Sequence, residues 1–295
     1  MNAAIIDGFQ TSFNDRFAND ESFIAAEYDL SGVAITENNH WVTMISPNVY
    51  VSSNHFRSGA GTPVTFYASN DPNGPSLTRQ IGSTSQRVGD SDIWIGILDT
   101  PLTLEYAFYD FATQTTTNDN RSPGGGPNSP NDESFVNSPY FEEVSLMFGR
   151  SPTNWPSSQN MAVGQNVLDR FFTEDIAAGA PGGDIAGTVD IAFAADYNDP
   201  NDPNYVEYET RLEVGDSGGP MMVSVNGGLV LVGTNWFIYG QDGEGGTGFA
   251  YVGNHSSEIF AFLDEYSLDA IPEPAQFAVL LAGGAALLLL RRRRL

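Results

Sequence analysis

From Gly32 to Asn235 the chain is dominated by short apolar or alternating runs, broken by Gly, Pro, Asn and Asp. The runs are Gly32–Thr36, His40–Ile45, Val49–Ser52, Pro63–Ala68, Ile93–Leu98, Val144–Phe148, Thr188–Ala194, Pro220–Val225 and Leu229–Asn235. Strand-length runs with turn residues at this spacing predict an all-β fold built of antiparallel sandwiches or barrels. One helical pattern stands apart, at Ser256–Tyr266. There Ile259, Phe260, Leu263 and Tyr266 fall on one face, and Ser256 or Ser257 is placed to cap it. Two stretches read as loops. Thr113–Pro139 holds the Gly/Pro-rich string Arg121-Ser-Pro-Gly-Gly-Gly-Pro-Asn-Ser-Pro130 near mid-chain and is expected to join two domains. Asp196–Asn204 (DYNDPNDPN) is the second, and no internal repeat is sustained.

Charge narrows the function classes. The 295 residues carry 37 acids against 12 basic residues, a net charge of −25. Every basic residue is arginine, and four of them form the run Arg291–Arg294. Without residues 272–295 the balance is 8 arginines against 36 acids, or −28. Such a body repels phosphate backbones, so no nucleic-acid partner is expected. With no cysteine there is neither a disulfide framework nor a thiolate zinc site. A hydrophobic fraction of 41% and an aromatic fraction of 12% are those of a chain that folds rather than one that stays disordered.

The strongest chemical signal is Gly215-Asp216-Ser217-Gly218-Gly219-Pro220, followed by the apolar Met221-Met222-Val223. A serine hydroxyl attacks well only when a base removes its proton and the developing oxyanion is stabilised. The glycines permit a tight turn that exposes Ser217 and lets the N–H groups of Gly215 and Ser217 point at one spot. Three histidines could supply the base: His40, His55 and His255. His55 is favoured, because a strand, a turn at Ser46-Pro47-Asn48, a second strand and then small residues deliver it to a strand end. His40 sits in an Asn-Asn-His turn and His255 precedes the helix, so both read as structural. A third group should be a buried carboxylate that orients the imidazole. Asp92 stands directly before the apolar strand Ile93–Leu98 and needs a partner there. Asp90 and Asp99 are its competitors.

These segments resemble the chymotrypsin/trypsin-fold serine proteases, in that family's order of His, Asp and Ser. Ile45-Ser-Pro-Asn-Val-Tyr-Val-Ser-Ser-Asn-His55 is similar to its ISPxWVLTAAH block, Ser91-Asp-Ile-Trp-Ile-Gly-Ile-Leu98 to its DIALLxL block, and GDSGGP matches outright. Weaker likenesses are Leu231-Val-Gly-Thr-Asn-Trp236, to the strand beside the substrate backbone, and Gly248-Phe-Ala-Tyr-Val252 before the helix. The order is specific, since other serine hydrolase folds use other orders. The resemblance spans roughly residues 30–267. It implies two antiparallel six-stranded β-barrels with a short C-terminal helix and a triad in the cleft between the barrels. Ser217 would be the nucleophile, His55 the general base, Asp92 its orienting partner, and Gly215 and Ser217 the oxyanion donors. Substrates would be proteins or peptides, and this chemistry needs no metal and no organic cofactor. In the pocket, Gly248 resembles the family's wall glycine. Trp236 either lines the cleft or packs in the core. Arg211, six residues before Ser217, matches the pocket floor and would disfavour cleavage after basic residues. Alternatively it turns away and pairs with Glu209, Glu213 or Asp216. Ile5-Ile6-Asp7-Gly8 faintly resembles the family's activated N-terminus, whose amine would seek Asp216. The Asp196–Asn204 loop could offer oxygen ligands to Ca²⁺, but it lacks the EF-hand spacing and reads better as a solvated acidic loop.

The C-terminal end resembles a PEP-CTERM sorting signal: Pro272-Glu273-Pro274, an apolar helix over Ala275–Leu290, then Arg291–Arg294. Its 16 apolar residues span about 24 Å as a helix, slightly short of a bilayer core of roughly 30 Å, a gap that snorkelling arginines can close. The arginines would stay cytoplasmic, leaving the rest outside. That likeness implies a Gram-negative exported protein, anchored in the inner membrane until an exosortase-type enzyme removes the tail. An ordinary C-terminal anchor is the plainer reading. Met1–Phe23 has neither a basic n-region nor an apolar h-region, so a signal peptide is not visible. A start site placed too late, or a processed chain, would reconcile this with export. The expected organisation is an N-terminal segment (1–29), a first barrel (30–112), a linker (113–139), a second barrel with the helix (140–268) and the sorting tail (269–295). The activity expected is that of a serine endopeptidase. A catalytically silent binding module and a serine esterase are the competing classes.

Overall fold

The computed structural model describes residues 3–115, 139–168, 170–176, 188–239 and 245–268. The tail and most of the mid-chain linker lie outside the described residues, as do the expectations attached to them. Among the described residues, no helix is long and apolar enough to cross a membrane.

The protein is mostly β-sheet. In chain order the elements are β1 (Ile5–Ile6), α1 (Thr11–Asn14), β2 (Val33–Ile35), β3 (Trp41–Met44), β4 (Val49–Ser53), β5 (Pro63–Tyr67), β6 (Ser76–Arg87), β7 (Ile93–Leu98) and β8 (Asp110–Phe111). Then follow β9 (Val144–Gly149), β10 (Ala162–Val167), β11 (Arg170–Ile176), β12 (Thr188–Asp196), β13 (Thr210–Arg211), β14 (Pro220–Val225), β15 (Gly228–Tyr239), β16 (Gly246–Tyr251) and α2 (Ser256–Tyr266). The first sheet is antiparallel with strand order β2-β3-β4-β7-β6-β5. A bridge between Thr36 and Val64, with Glu37 N–H donating to the Pro63 carbonyl at 3.3 Å, brings its two edges together into a nearly closed six-stranded barrel. Closure of this kind leaves few unpaired edge groups. The second sheet runs β10-β9-β14-β15-β16-β12-β11, with β8 added parallel to β15.

The apolar runs form strands where they were expected, because every residue of β3 and β4 is buried and β-branched side chains fill a pleated surface well. Strand β6 was not expected. Its sequence, SLTRQIGSTSQR, has a single buried residue, Ile81. It is a strand because β5 and β7 pair with it on either side. The terminal helix differs in its buried face. Ile259 and Phe262 are buried, whereas Phe260 is 47% exposed and rests on Phe111 with ring centroids 5.0 Å apart. Ser256 is the first helical residue rather than a cap, and its hydroxyl donates to the Thr113 carbonyl at 3.5 Å.

The two sheets share one core. Val49, Val51, Ile93 and Ile95 of the first pack in the same cluster as Met147, Met221, Leu231 and Phe249 of the second. The N-terminal segment ties both sheets. Strand β1 pairs antiparallel with β13, with Ile5 opposite Arg211. The Arg16 guanidinium is buried and donates to the carbonyls of Val33 and Tyr67, both at 3.1 Å. Asp15 accepts the Trp155 indole N–H at 2.7 Å and the Ser151 hydroxyl at 2.5 Å. At the other end, the Asn48 side chain donates to the Tyr266 carbonyl at 2.9 Å and accepts from Leu268 N–H at 2.7 Å, fastening α2 to the β3–β4 turn.

Candidate active site

Strand register brings the first two residues together. Strands β4 and β7 run antiparallel with Ser53 opposite Ile93. In such a pair the end of one strand lies beside the start of the other. Asn54 and His55, just past the end of β4, therefore meet Asp92, just before β7. Asn54 N–H donates to the Asp92 carbonyl at 2.6 Å, extending the ladder by one step. His55 N–H donates to Asp92 Oδ1 at 3.0 Å, and His55 Nδ1 lies 2.6 Å from Asp92 Oδ2. The carboxylate is fully buried and the imidazole is 11% exposed, so the pair faces outward through the histidine. Burial pushes the Asp92 carboxyl above its ordinary range, while the two bonds from His55 and the charges of His55 and Arg87 pull it back. An acid so placed gains from a positive imidazole beside it, since the ion pair offsets the cost of burying the charge.

The competitors lie elsewhere. Asp99 Oδ1 accepts Gln80 N–H at 3.0 Å. The Asp90 carbonyl accepts from the Arg87 guanidinium. His40 Nδ1 is 2.9 Å from Ser58 Oγ and its ring meets Phe56 edge-on at 4.3 Å. His255 Nδ1 is 3.1 Å from Glu258 Oε2 at the start of α2.

The serine turn is built differently, from backbone. Gly215 and Gly218 adopt φ of 107° and 84°, a region that disfavours any residue with a side chain. A Cβ on Gly218 would stand 2.9 Å from Ser53 N and 3.0 Å from Ser52 Oγ, so the turn is seated against the end of β4, two residues before His55. A Cβ on Gly219 would meet the Phe148 carbonyl at 2.6 Å and Asn235 Nδ2 at 2.7 Å. The N–H groups of Asp216, Gly218 and Gly219 donate to the carbonyls of Glu213, Asn235 and Asp216, at 3.0, 2.9 and 3.0 Å. Among the described residues, the N–H groups of Gly215 and Ser217 donate to none. Ser217 is half-buried. Asp216 is wholly buried, and its two oxygens accept the backbone N–H groups of Arg150 at 2.7 Å and Glu213 at 2.8 Å. Burial, the largest influence, pushes its carboxyl up to about 7 despite those two bonds.

The residues expected to form the pocket lie in neighbouring strands, with Leu212 N–H donating to Thr247 Oγ1 at 3.1 Å and the Trp236 and Phe237 rings 5.0 Å apart. Arg211 lies in β13, and its Nη2 is 3.2 Å from Glu213 Oε1, an ion pair among the alternatives open from sequence. Trp236 is 2% exposed and packs in the shared core, the second of its two readings. Gly248 lies opposite Phe237, whose ring occupies the space a side chain on Gly248 would need. The Ile5-Ile6 segment pairs with β13, while the Asp216 carboxylate is held by main-chain amides. In the acidic loop, Asp199 Oδ1 accepts Asn201 N–H at 3.0 Å and Asp202 Oδ1 accepts Asn204 N–H at 2.8 Å, carboxylates turned onto their own chain. Among the described residues no cluster of three metal-ligating side chains forms.

Sequence reasoning missed Asn235. Its side chain donates to the carbonyls of Phe148 at 3.0 Å and Asp216 at 2.8 Å, and its N–H donates to the Gly219 carbonyl at 2.9 Å. An amide beside Thr234 at the end of the apolar run Leu229–Val232 was the available signal. Compared with known proteins, the chain matches no family model and no curated protein.

Proposed function

We propose that this protein is a serine endopeptidase of the chymotrypsin/trypsin fold, with a second barrel packed on the first and the site at their junction. The observation that carries this reading is the seating of Gly218 on Ser52 and Ser53, which joins the turn holding Ser217 to the strand end holding His55. Ser217 Oγ attacks the scissile carbonyl and its proton passes to His55 Nε2. Asp92, bonded to Nδ1, fixes the ring's tautomer and stabilises the imidazolium that forms. The N–H groups of Gly215 and Ser217, which have no acceptor among the described residues, receive the oxyanion. His55 then protonates the leaving amine, and water repeats the cycle on the acyl-enzyme. This chemistry calls for no metal or organic cofactor. The resemblance of the Pro272–Arg294 sequence to a PEP-CTERM signal supports export in a Gram-negative cell, inner-membrane anchorage and removal of the tail by an exosortase-type enzyme as part of this reading.

The test is labelling with a fluorophosphonate probe alongside turnover of casein. The wild type should label and cleave, and Ser217→Ala should do neither. Labelling that persists in Ser217→Ala sinks the nucleophile. Absence of both label and turnover in a folded wild type favours a binding module. Ester hydrolysis without amide hydrolysis on a matched substrate pair favours an esterase.

A further inference from the structure

Arg150 links the serine turn to the first sheet, and the catalytic scheme does not use it. Arg150 directly follows β9 and is 6% exposed. Its backbone is engaged on both sides: N–H donates to Asp216 Oδ1 at 2.7 Å, and its carbonyl accepts Ala4 N–H at 3.0 Å. Its side chain then runs over Gly215. A Cβ on that glycine would lie 3.7 Å from Arg150 Cδ and 3.9 Å from Nη1. The guanidinium continues to the other sheet, where Nη2 donates to Asn39 Oδ1 at 2.8 Å. Asn39 is in the turn of the β2–β3 hairpin, at φ 67°, a conformation asparagine tolerates. The hairpin is itself closed by Thr36 N–H donating to the His40 carbonyl at 2.9 Å and Asn39 N–H to the Thr36 carbonyl at 2.9 Å.

Gly215 has no side chain of its own to hold it, and at φ 107° the surrounding structure must select its conformation. The next residue, Asp216, is fixed from both carboxylate oxygens. The Arg150 side chain lies beside Gly215, and its guanidinium is bonded to Asn39.

We propose that Arg150 is a positioning residue for the oxyanion turn, holding Gly215 and Ser217 in donor geometry by tying the turn to Asn39 in the β2–β3 hairpin of the first barrel. This rests on the endopeptidase reading above and adds that the oxyanion site is braced from both sheets. Donors that are already aimed cost no reorganisation when charge develops, so the brace acts on the transition state rather than on substrate binding.

Four proteins test it: wild type, Arg150→Met, Asn39→Gly and the double variant. Asn39→Gly removes only the side-chain anchor and keeps the backbone conformation. Each is assayed for kcat and KM on one peptide substrate and for affinity toward two ligands. A peptide boronate forms a tetrahedral anion on Ser217, and the matching product peptide does not. Arg150→Met should lower kcat and boronate affinity together by about 10- to 100-fold, with KM and product affinity within about threefold. Asn39→Gly should move the same two quantities in the same direction by less. Because the two side chains act as one tie, the double variant should be no worse than Arg150→Met. Unchanged kcat in Asn39→Gly, equal loss of boronate and product affinity, or additive losses in the double variant would each overturn the proposal. If Arg150→Met does not fold, Asn39→Gly decides alone. A wild type without turnover would instead remove the endopeptidase reading beneath it.

Discussion

Two buried aspartates define the site, and they do opposite things. Asp92 sits at the mouth of the first barrel and gives one oxygen to the His55 ring. Asp216 sits under the serine turn and gives both oxygens to main-chain N–H groups. Burial raises the pKa of each. What separates them is the partner. An imidazole can take up and release a proton, so Asp92 has a titratable partner. A backbone amide cannot, so the charge of Asp216 organises geometry. A buried carboxylate is thus read by what it touches rather than by how deeply it lies.

The largest effects are expected at His55 and Asp92. His55→Ala should reduce kcat by about 10⁶-fold without unfolding the protein, because triad members act as a unit. Steady-state turnover alongside circular dichroism checks this, and a loss below 10-fold would remove His55 as the base. Asp92→Asn should cost about 10⁴-fold, since an amide favours the wrong imidazole tautomer. A substantially smaller loss measured in kcat would mean that another acid orients the ring.

Asp216→Asn probes the structural side. The fold holds this carboxyl near 7, against an ordinary value of 3.8. A raised acid pKa means that the folded state binds the proton more tightly than the unfolded chain. Its contribution to stability is therefore fully present below about 4, declines as pH rises, and levels off above about 7. The unfolding free energy of the wild type minus that of Asp216→Asn should fall across this window, by at most about 1.4 kcal/mol per pH unit. Denaturant titrations at several pH values read it, and a flat difference would contradict the burial argument. The smallest effect is at Arg211. Its guanidinium already pairs with Glu213, so Arg211→Ala should leave the charge preference for the residue before the cleaved bond unchanged. A peptide-library profile that shifts toward basic residues would place Arg211 in the pocket after all.

Legibility followed the physics of each feature. Strands β7 and β14 and the helix at Ser256–Tyr266 could be bounded from sequence, because their apolar content and flanking turn residues are local properties. Strand β6 could not, since its polar residues are ordered by β5 and β7. Phe260 was placed on the buried helix face by periodicity, yet Phe262 is the residue buried there, because the neighbouring strands choose which stripe to cover. Ser217, His55 and Asp92 were singled out by the local strings around them.

By itself the sequence determined an all-β chain and an acidic body without cysteine, and it singled out Ser217, His55 and Asp92 as candidates. Each of those is written in residue type and short-range order. Only the tertiary structure decided that β4 and β7 bring His55 and Asp92 within 2.6 Å. It alone seated the glycine turn on Ser52 and Ser53, filled the space above Gly248 with Phe237, and laid Arg150 across Gly215 to Asn39. These are contacts between residues far apart in the chain. They depend on strand register and on how two sheets share one core, which no local string encodes.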